Sequence, residues 1–134
     1  MKKIFAIVTV ILISAAFAFA VEDSLLKLDK NKDGKVSRQE YMNAATGMFN
    51  KYDANGDGIL TREEIQSIDK IDAEKFMAEV DADKDGKILK KEFEQAAKKR
   101  FSAIDKNKNG FIDRKEWEAG RSELYSPFSL FTFE

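Results

Sequence analysis

Apolar and polar positions fall into three regimes along this chain. Met1, Lys2 and Lys3 precede an apolar run from Ile4 to Ala20 that ends in Ala18-Phe19-Ala20. A short basic start, an apolar stretch and small residues at the −3 and −1 positions predict an export signal at 1–20, cut after Ala20. The run also approaches the ~20 residues of a spanning helix, so an uncleaved anchor is the alternative. Further on, Tyr41, Ala45, Met48 and Tyr52 recur at steps of 4, 3 and 4, and Phe93, Ala97, Phe101 and Ile104 make a second stripe. These stripes predict helices over 41–52 and 93–104 whose apolar side packs into a core. Between them, residues 65–80 hold Asp69 and Asp72, either of which can cap a second short helix ending in Phe76, Met77 and Val80. A last helix is expected from Trp117 to Leu124, weakened by Gly120 and stopped by Pro127. The tail from Tyr125 to Glu134 carries Phe128, Leu130, Phe131 and Phe133. It is expected to fold back over the core, with an exposed partner-binding strand as the alternative.

The third regime is polar and repeated. Four twelve-residue segments align without gaps: Asp29 to Glu40, Asp53 to Glu64, Asp81 to Glu92 and Asp105 to Glu116. Each has Asp at position 1, Asp or Asn at 3 and 5, Gly at 6, an aliphatic residue at 8 and Glu at 12. Short oxygen-bearing side chains on a tight coil suit a large hard cation. The side-chain ligands at positions 1, 3 and 5 are then Asp29, Asn31 and Asp33; Asp53, Asn55 and Asp57; Asp81, Asp83 and Asp85; and Asp105, Asn107 and Asn109. Position 7 offers only its backbone carbonyl, so Lys35, Ile59, Lys87 and Phe111 are all acceptable there. Glu40, Glu64, Glu92 and Glu116 close the shell with two oxygens each, about seven ligands in all. Position 9 both reaches the ion, often through water, and caps the exiting helix three residues before the Glu. Ser37, Thr61 and Asp113 suit both roles and Leu89 suits neither. Carboxylate ligands number three, three, four and three in chain order, and all four loops are expected to bind.

Composition narrows the chemistry. Among 134 residues there is no Cys and no His. Zinc, copper, haem and iron–sulfur sites draw mainly on those two residue types. A nucleophile activated by imidazole is equally excluded, and no acid–base group stands out beyond the loops, so no enzyme is expected. Lys98-Lys99-Arg100 reads as a solvated helix face, and no nucleic-acid motif is present.

The four loops resemble the EF-hand calcium loop, and the resemblance covers the chain from 21 to 134 except its two ends. It implies an all-α, compact bundle of four EF-hands in one domain over 21–134. Loop starts are 24, 28 and 24 residues apart, leaving only twelve residues between loops one and two and between loops three and four. One short helix must therefore be shared by adjacent loops. A twelve-residue helix is ~18 Å long and holds its two loops apart. Loops two and three are thus expected to pair through short β contacts at Leu60 and Ile88, and loops one and four through Val36 and Ile112. This compact spacing is similar to that of the lanmodulin family of exported bacterial lanthanide binders. Those loops carry Pro at position 2 and Asp at 9, whereas this chain has Lys30, Ala54, Ala82 and Lys106 at 2 and keeps the acid at 9 only in Asp113. Calcium, up to four ions, is therefore the expected cargo, with lanthanide ions the alternative. The expected role is a periplasmic or secreted calcium buffer or sensor whose folding is coupled to the metal. A lanmodulin-like lanthanide binder and a calcium-stiffened structural or adhesion module are the competitors.

The formal charge of −1 averages two populations, 23 basic and 24 acidic residues. Thirteen acids are candidate ligands, so the rest of the chain is strongly basic. Near neutrality gives no sign of nucleic-acid binding or, after signal removal, of membrane association. Metal ions are the expected partners, and the aromatic tail is the candidate surface for a protein partner.

Overall fold

The computed structural model describes residues 25–68 and 71–122. The predicted signal at 1–20, Asp69 and the aromatic tail from 125 lie outside the described residues. After a helical turn at 25–28, the elements run β1 (Val36–Ser37), α1 (Arg38–Tyr52), β2 (Ile59–Thr61), α2 (Arg62–Gln66), α3 (Ala73–Val80), β3 (Lys87–Leu89), α4 (Lys90–Ile104), β4 (Phe111–Ile112) and α5 (Arg114–Ser122). The protein is helical, with two short antiparallel ribbons.

The shared helices are longer than the spacing between loops suggests. α1 and α4 each begin at the tenth position of a loop and have 15 residues, about 22 Å at 1.5 Å per residue. They start there because the ninth residue has extended backbone and serves as N-cap, with its side chain bonded into the first turn in the case of Ser37. α5 likewise starts at Arg114 rather than Trp117. Asp72 is the N-cap of α3, its carboxylate accepting from Lys75 N–H at 3.2 Å. Gly120 does more than weaken the last helix. A Cβ there would lie 3.2 Å from both γ-carbons of Ile104, so the glycine permits close approach of α5 to α4.

The stripe on α1 also needs a correction. Its buried residues are Tyr41, Ala45 and Phe49, while Met48 and Tyr52 are only partly covered. Phe49 is the residue the stepwise reading passed over. On α4 the stripe is buried as expected: Phe93, Ala97, Phe101 and Ile104.

The ribbons settle which loops are neighbours. Val36 pairs with Ile112 in one, and Leu60 with Ile88 in the other, as the spacing predicts. All four side chains are fully buried. Each ribbon thus joins a strand from residues 25–68 to one from 71–122. Asp29 and Asp81 are 52 positions apart, as are Asp53 and Asp105, and the contacts repeat with the same offset. Arg38 N–H donates to Gly110 C=O at 3.2 Å and Lys90 N–H to Gly58 C=O at 3.3 Å. Tyr41 meets Phe101 edge-on at 5.5 Å, and Phe49 meets Phe93 edge-on at 5.4 Å. The two halves are therefore related by an approximate two-fold, with α1 and α4 antiparallel across it. The core is one cluster that spans both halves, and Phe76 joins it from α3 against Phe93. Arg62 of α2 and Glu74 of α3 form an ion pair across the connection.

Candidate metal centre

Each loop is fastened at both ends by helices. The Asp at position 1 ends the entering helix: Asp29, Asp53, Asp81 and Asp105 each donate N–H to a carbonyl four residues back at 2.9 Å. The Glu at position 12 is the third residue of the exiting helix. In Ser37 and Thr61 the hydroxyl accepts from the Glu40 or Glu64 N–H, and the Glu side chain returns a bond to the cap backbone, a reciprocal capping box. Asp113 caps in the same way, accepting Glu116 N–H at 2.9 Å. Because α1 carries Glu40 at one end and Asp53 at the other, one rigid rod positions a ligand of loop one and a ligand of loop two.

Inside the coil the oxygens are oriented by the backbone. The position 1 carboxylate accepts the Gly N–H at position 6 in every loop, at 2.8 Å for Gly34 and Gly58 and 2.9 Å for Gly86 and Gly110. Its other oxygen accepts the N–H of position 5, from Asp33, Asp57, Asp85 or Asn109, at 3.1 to 3.3 Å. Asn31, Asn55, Asp83 and Asn107 accept that same N–H at 2.9 to 3.1 Å. Position 5 in turn accepts from the N–H of Lys35, Ile59, Lys87 or Phe111, each at 2.9 Å. The closing Glu folds back onto the loop start: Glu40 accepts from Lys30 N–H at 2.9 Å, Glu64 from Ala54 at 3.0 Å, Glu92 from Ala82 at 3.0 Å and Glu116 from Asn107 at 3.0 Å. Every predicted side-chain ligand except those at position 9 of the fourth and third loops thus repeats one pattern; Asp113 substitutes a carboxylate cap and Leu89 provides no side-chain cap bond. The backbone of Leu89 still donates to Glu92 at 2.9 Å.

This turn requires left-handed backbone twice per loop. Gly58 and Gly86 have φ of 78° and 84°, where a Cβ is strained. Position 4 is also left-handed, occupied by Lys32, Lys84 and Lys108 with φ of 60°, 59° and 58°. Motif reading missed this second demand. The signal was Gly56, which takes the same place in loop two with φ of 70°.

The donor set fits a large hard cation. Carboxylate oxygens of Asp81, Asp83 and Asp85 all lie within 4.8 Å of one another, about twice the roughly 2.3–2.6 Å of a calcium–oxygen bond. Among the described residues this is the one such acidic trio, because the other loops place Asn at position 3. Electrostatics differ between loops accordingly. Asp83 lies above the usual carboxylate value: the Asp85 N–H pulls it down, but lost hydration and the charges of Asp85 and Glu92 outweigh that bond. Glu64 lies below it, held first by the Thr61 N–H against a desolvation cost, then by the Thr61 hydroxyl and the N–H groups of Ala54 and Asn55. For Glu40 desolvation is the largest influence and pushes upward, yet the bonds from Ser37, Asn31 and Lys30 together bring the carboxyl below its ordinary value.

Two expected results follow from these holds in the ion-free protein. A lowered folded value for Glu64 means that its ionised form stabilises the fold above the unfolded carboxylate pKa and that this contribution disappears as pH falls through the folded value. Urea midpoints measured from pH 7 downward should fall in the carboxylate range, and Glu64→Gln should flatten that fall. Leu89 is 40% exposed and lacks a cap bond, so Leu89→Ser should add a cap to α4 and raise ion-free stability by about 0.5–2 kcal/mol in urea unfolding.

The family comparison covers the same loops. A model for the EF-hand domain pair matches residues 44–98, which contain loops two and three. A model for the EF hand matches residues 21–44 and 97–120, which contain loops one and four. No curated protein matches the chain. Domains of this kind indicate calcium binding. With its oxygen-lined turns held between paired helices, two matched by one model and two by the other, the chain belongs to the EF-hand superfamily.

Proposed function

We propose that residues 21–134 act, after loss of a signal at 1–20, as an exported calcium buffer or sensor binding up to four ions, one in each of loops 29–40, 53–64, 81–92 and 105–116. The observation that carries this reading is the repetition of one fastening in all four loops: the position 1 carboxylate tied to the Gly N–H, and the position 12 Glu drawn back over the loop start. An ion bound there supplies positive charge to carboxylates that otherwise repel one another. What the chain does is hold those oxygens converged. The two ends of each loop belong to different helices, so the ordering of a loop and the seating of its helices are one event, which favours metal-coupled folding.

Calcium is preferred over a trivalent ion because loops one, two and four offer three carboxylate ligands each, the ordinary complement for a divalent ion. The lanthanide reading draws its support from loop three, with four carboxylates and its converging trio. Terbium emission sensitised by Trp117, which directly follows loop four, decides between them when calcium is titrated in competition. Displacement of terbium by calcium at comparable concentrations is expected. Terbium retained against calcium in excess by several orders of magnitude would establish the lanthanide carrier, and a fold and stability indifferent to either ion would favour the structural module.

A further inference from the structure

Resting on that cation-binding reading, we infer that the four loops form two unequal classes of site: the loop two and loop three pair fills first, and the loop one and loop four pair fills second, held back by its own Lys and Arg residues. The cross-half ribbons make this visible. Loop one with its partner, loop four, contains six acids and eight bases, a surplus of +2. Loop two with loop three contains eight acids and five bases, a deficit of −3. In chain order these differences are mixed, because each shared helix joins a basic loop to a more acidic one. Pairing separates them to opposite ends of α1 and α4.

The separation decides which charges each ion feels. The helices are about 22 Å long, more than twice the screening length of roughly 8–10 Å at ordinary ionic strength. Each end therefore responds mainly to its own net charge, and the two ends differ by five charges. Within the basic end the lysines sit in the coil itself: Lys32 and Lys108 occupy the left-handed position 4, and Lys35 lies over the ring of Phe111 across the ribbon at 5.9 Å. Lys32 and Lys108 coordinate nothing, so they act on the neighbouring sites only through charge. Loop three lacks an oxygen at Leu89 but has the fourth carboxylate, and its acidic trio is the group an incoming ion relieves most. A difference of about tenfold or more in affinity between the pairs is expected near 0.1 M salt, shrinking as more salt is added.

The test uses the full chain, calcium alone and amide NMR. The N–H groups of Gly34, Gly58, Gly86 and Gly110 each donate to the first ligand of their own loop, so each reports one site. Gly58 and Gly86 should complete their shifts over the first two equivalents, and Gly34 and Gly110 over the next two. In K32N/K108N, where Asn tolerates the left-handed backbone, the second phase should tighten several-fold while the first stays put. Gly34 or Gly110 moving first, all four moving together, or an unaltered second phase in the variant overturns the two-class assignment while leaving calcium binding intact. If no glycine responds to calcium, the cation reading itself fails and the order fails with it.

Discussion

Replacing Phe101 with alanine is expected to remove about 3–5 kcal/mol from the stability of the calcium-saturated protein, measured by urea unfolding, the usual range for emptying a buried aromatic site. Phe101 is fully buried on α4 and meets Tyr41 of α1 edge-on at 5.5 Å. The guanidinium of Arg38 covers the same ring at 5.4 Å, so the truncation also removes a cation–π contact. Collapse around the gap is hindered because the ring's neighbours belong to the opposite half and are fixed by a strand pair one turn away. Tyr41 is itself deeply enclosed, its hydroxyl pushed up to about 12 by burial against a smaller opposing effect of Arg100. The loss should be felt at both ends of the molecule, since α1 and α4 are the rods on which all four loops are mounted. A cost below 1 kcal/mol would mean that the halves are not packed through these rings.

Calcium should raise stability by an amount comparable to the whole stability of an ordinary small domain. Each site that binds the folded chain and not the unfolded one adds about 2.7 kcal/mol when free ion is a hundredfold above its dissociation constant. Four such sites add on the order of 11 kcal/mol, against a typical total of roughly 5–15 kcal/mol. Chelation should therefore lower the melting temperature by tens of degrees, and the size of the drop should track the free-calcium concentration before chelation. Glu92→Gln offers a graded version. Glu92 is buried and fastens loop three by bonds to Ala82, Asp83 and Leu89, so the variant should lose the calcium increment of that loop and weaken that of loop two, its ribbon partner. A melting temperature unmoved by chelation would show that the fold stands without the ion.

The loops were legible in the amino-acid order because cation ligation imposes residue types at fixed places, and four copies in register exclude chance. The pairing was legible too, by elimination: a helix that joins two loops holds them at its opposite ends, so Val36 had to look to Ile112 rather than to Leu60. Other features were not. Phe49 escaped a stripe read by steps of 3 and 4 from Tyr41 through Met48, although its counterpart Phe101, 52 positions on, was plain. Asp69 and Asp72 were equivalent as caps until Lys75 N–H was seen to bond to Asp72. The left-handed position 4 was masked by lysines, which reveal nothing of their backbone. The charge contrast between the two ends is invisible in any linear window, since it exists only between strands that the fold brings together from 76 residues apart at Val36 and Ile112 and 28 apart at Leu60 and Ile88.

Calorimetric titration of the chelator-treated full chain with calcium tests the central claim most directly. Heat should saturate at four ions per chain, and circular dichroism followed in the same titration should show helix ordering that ends at the same ratio. Saturation at two or fewer, or full helical order before any calcium is added, would contradict it.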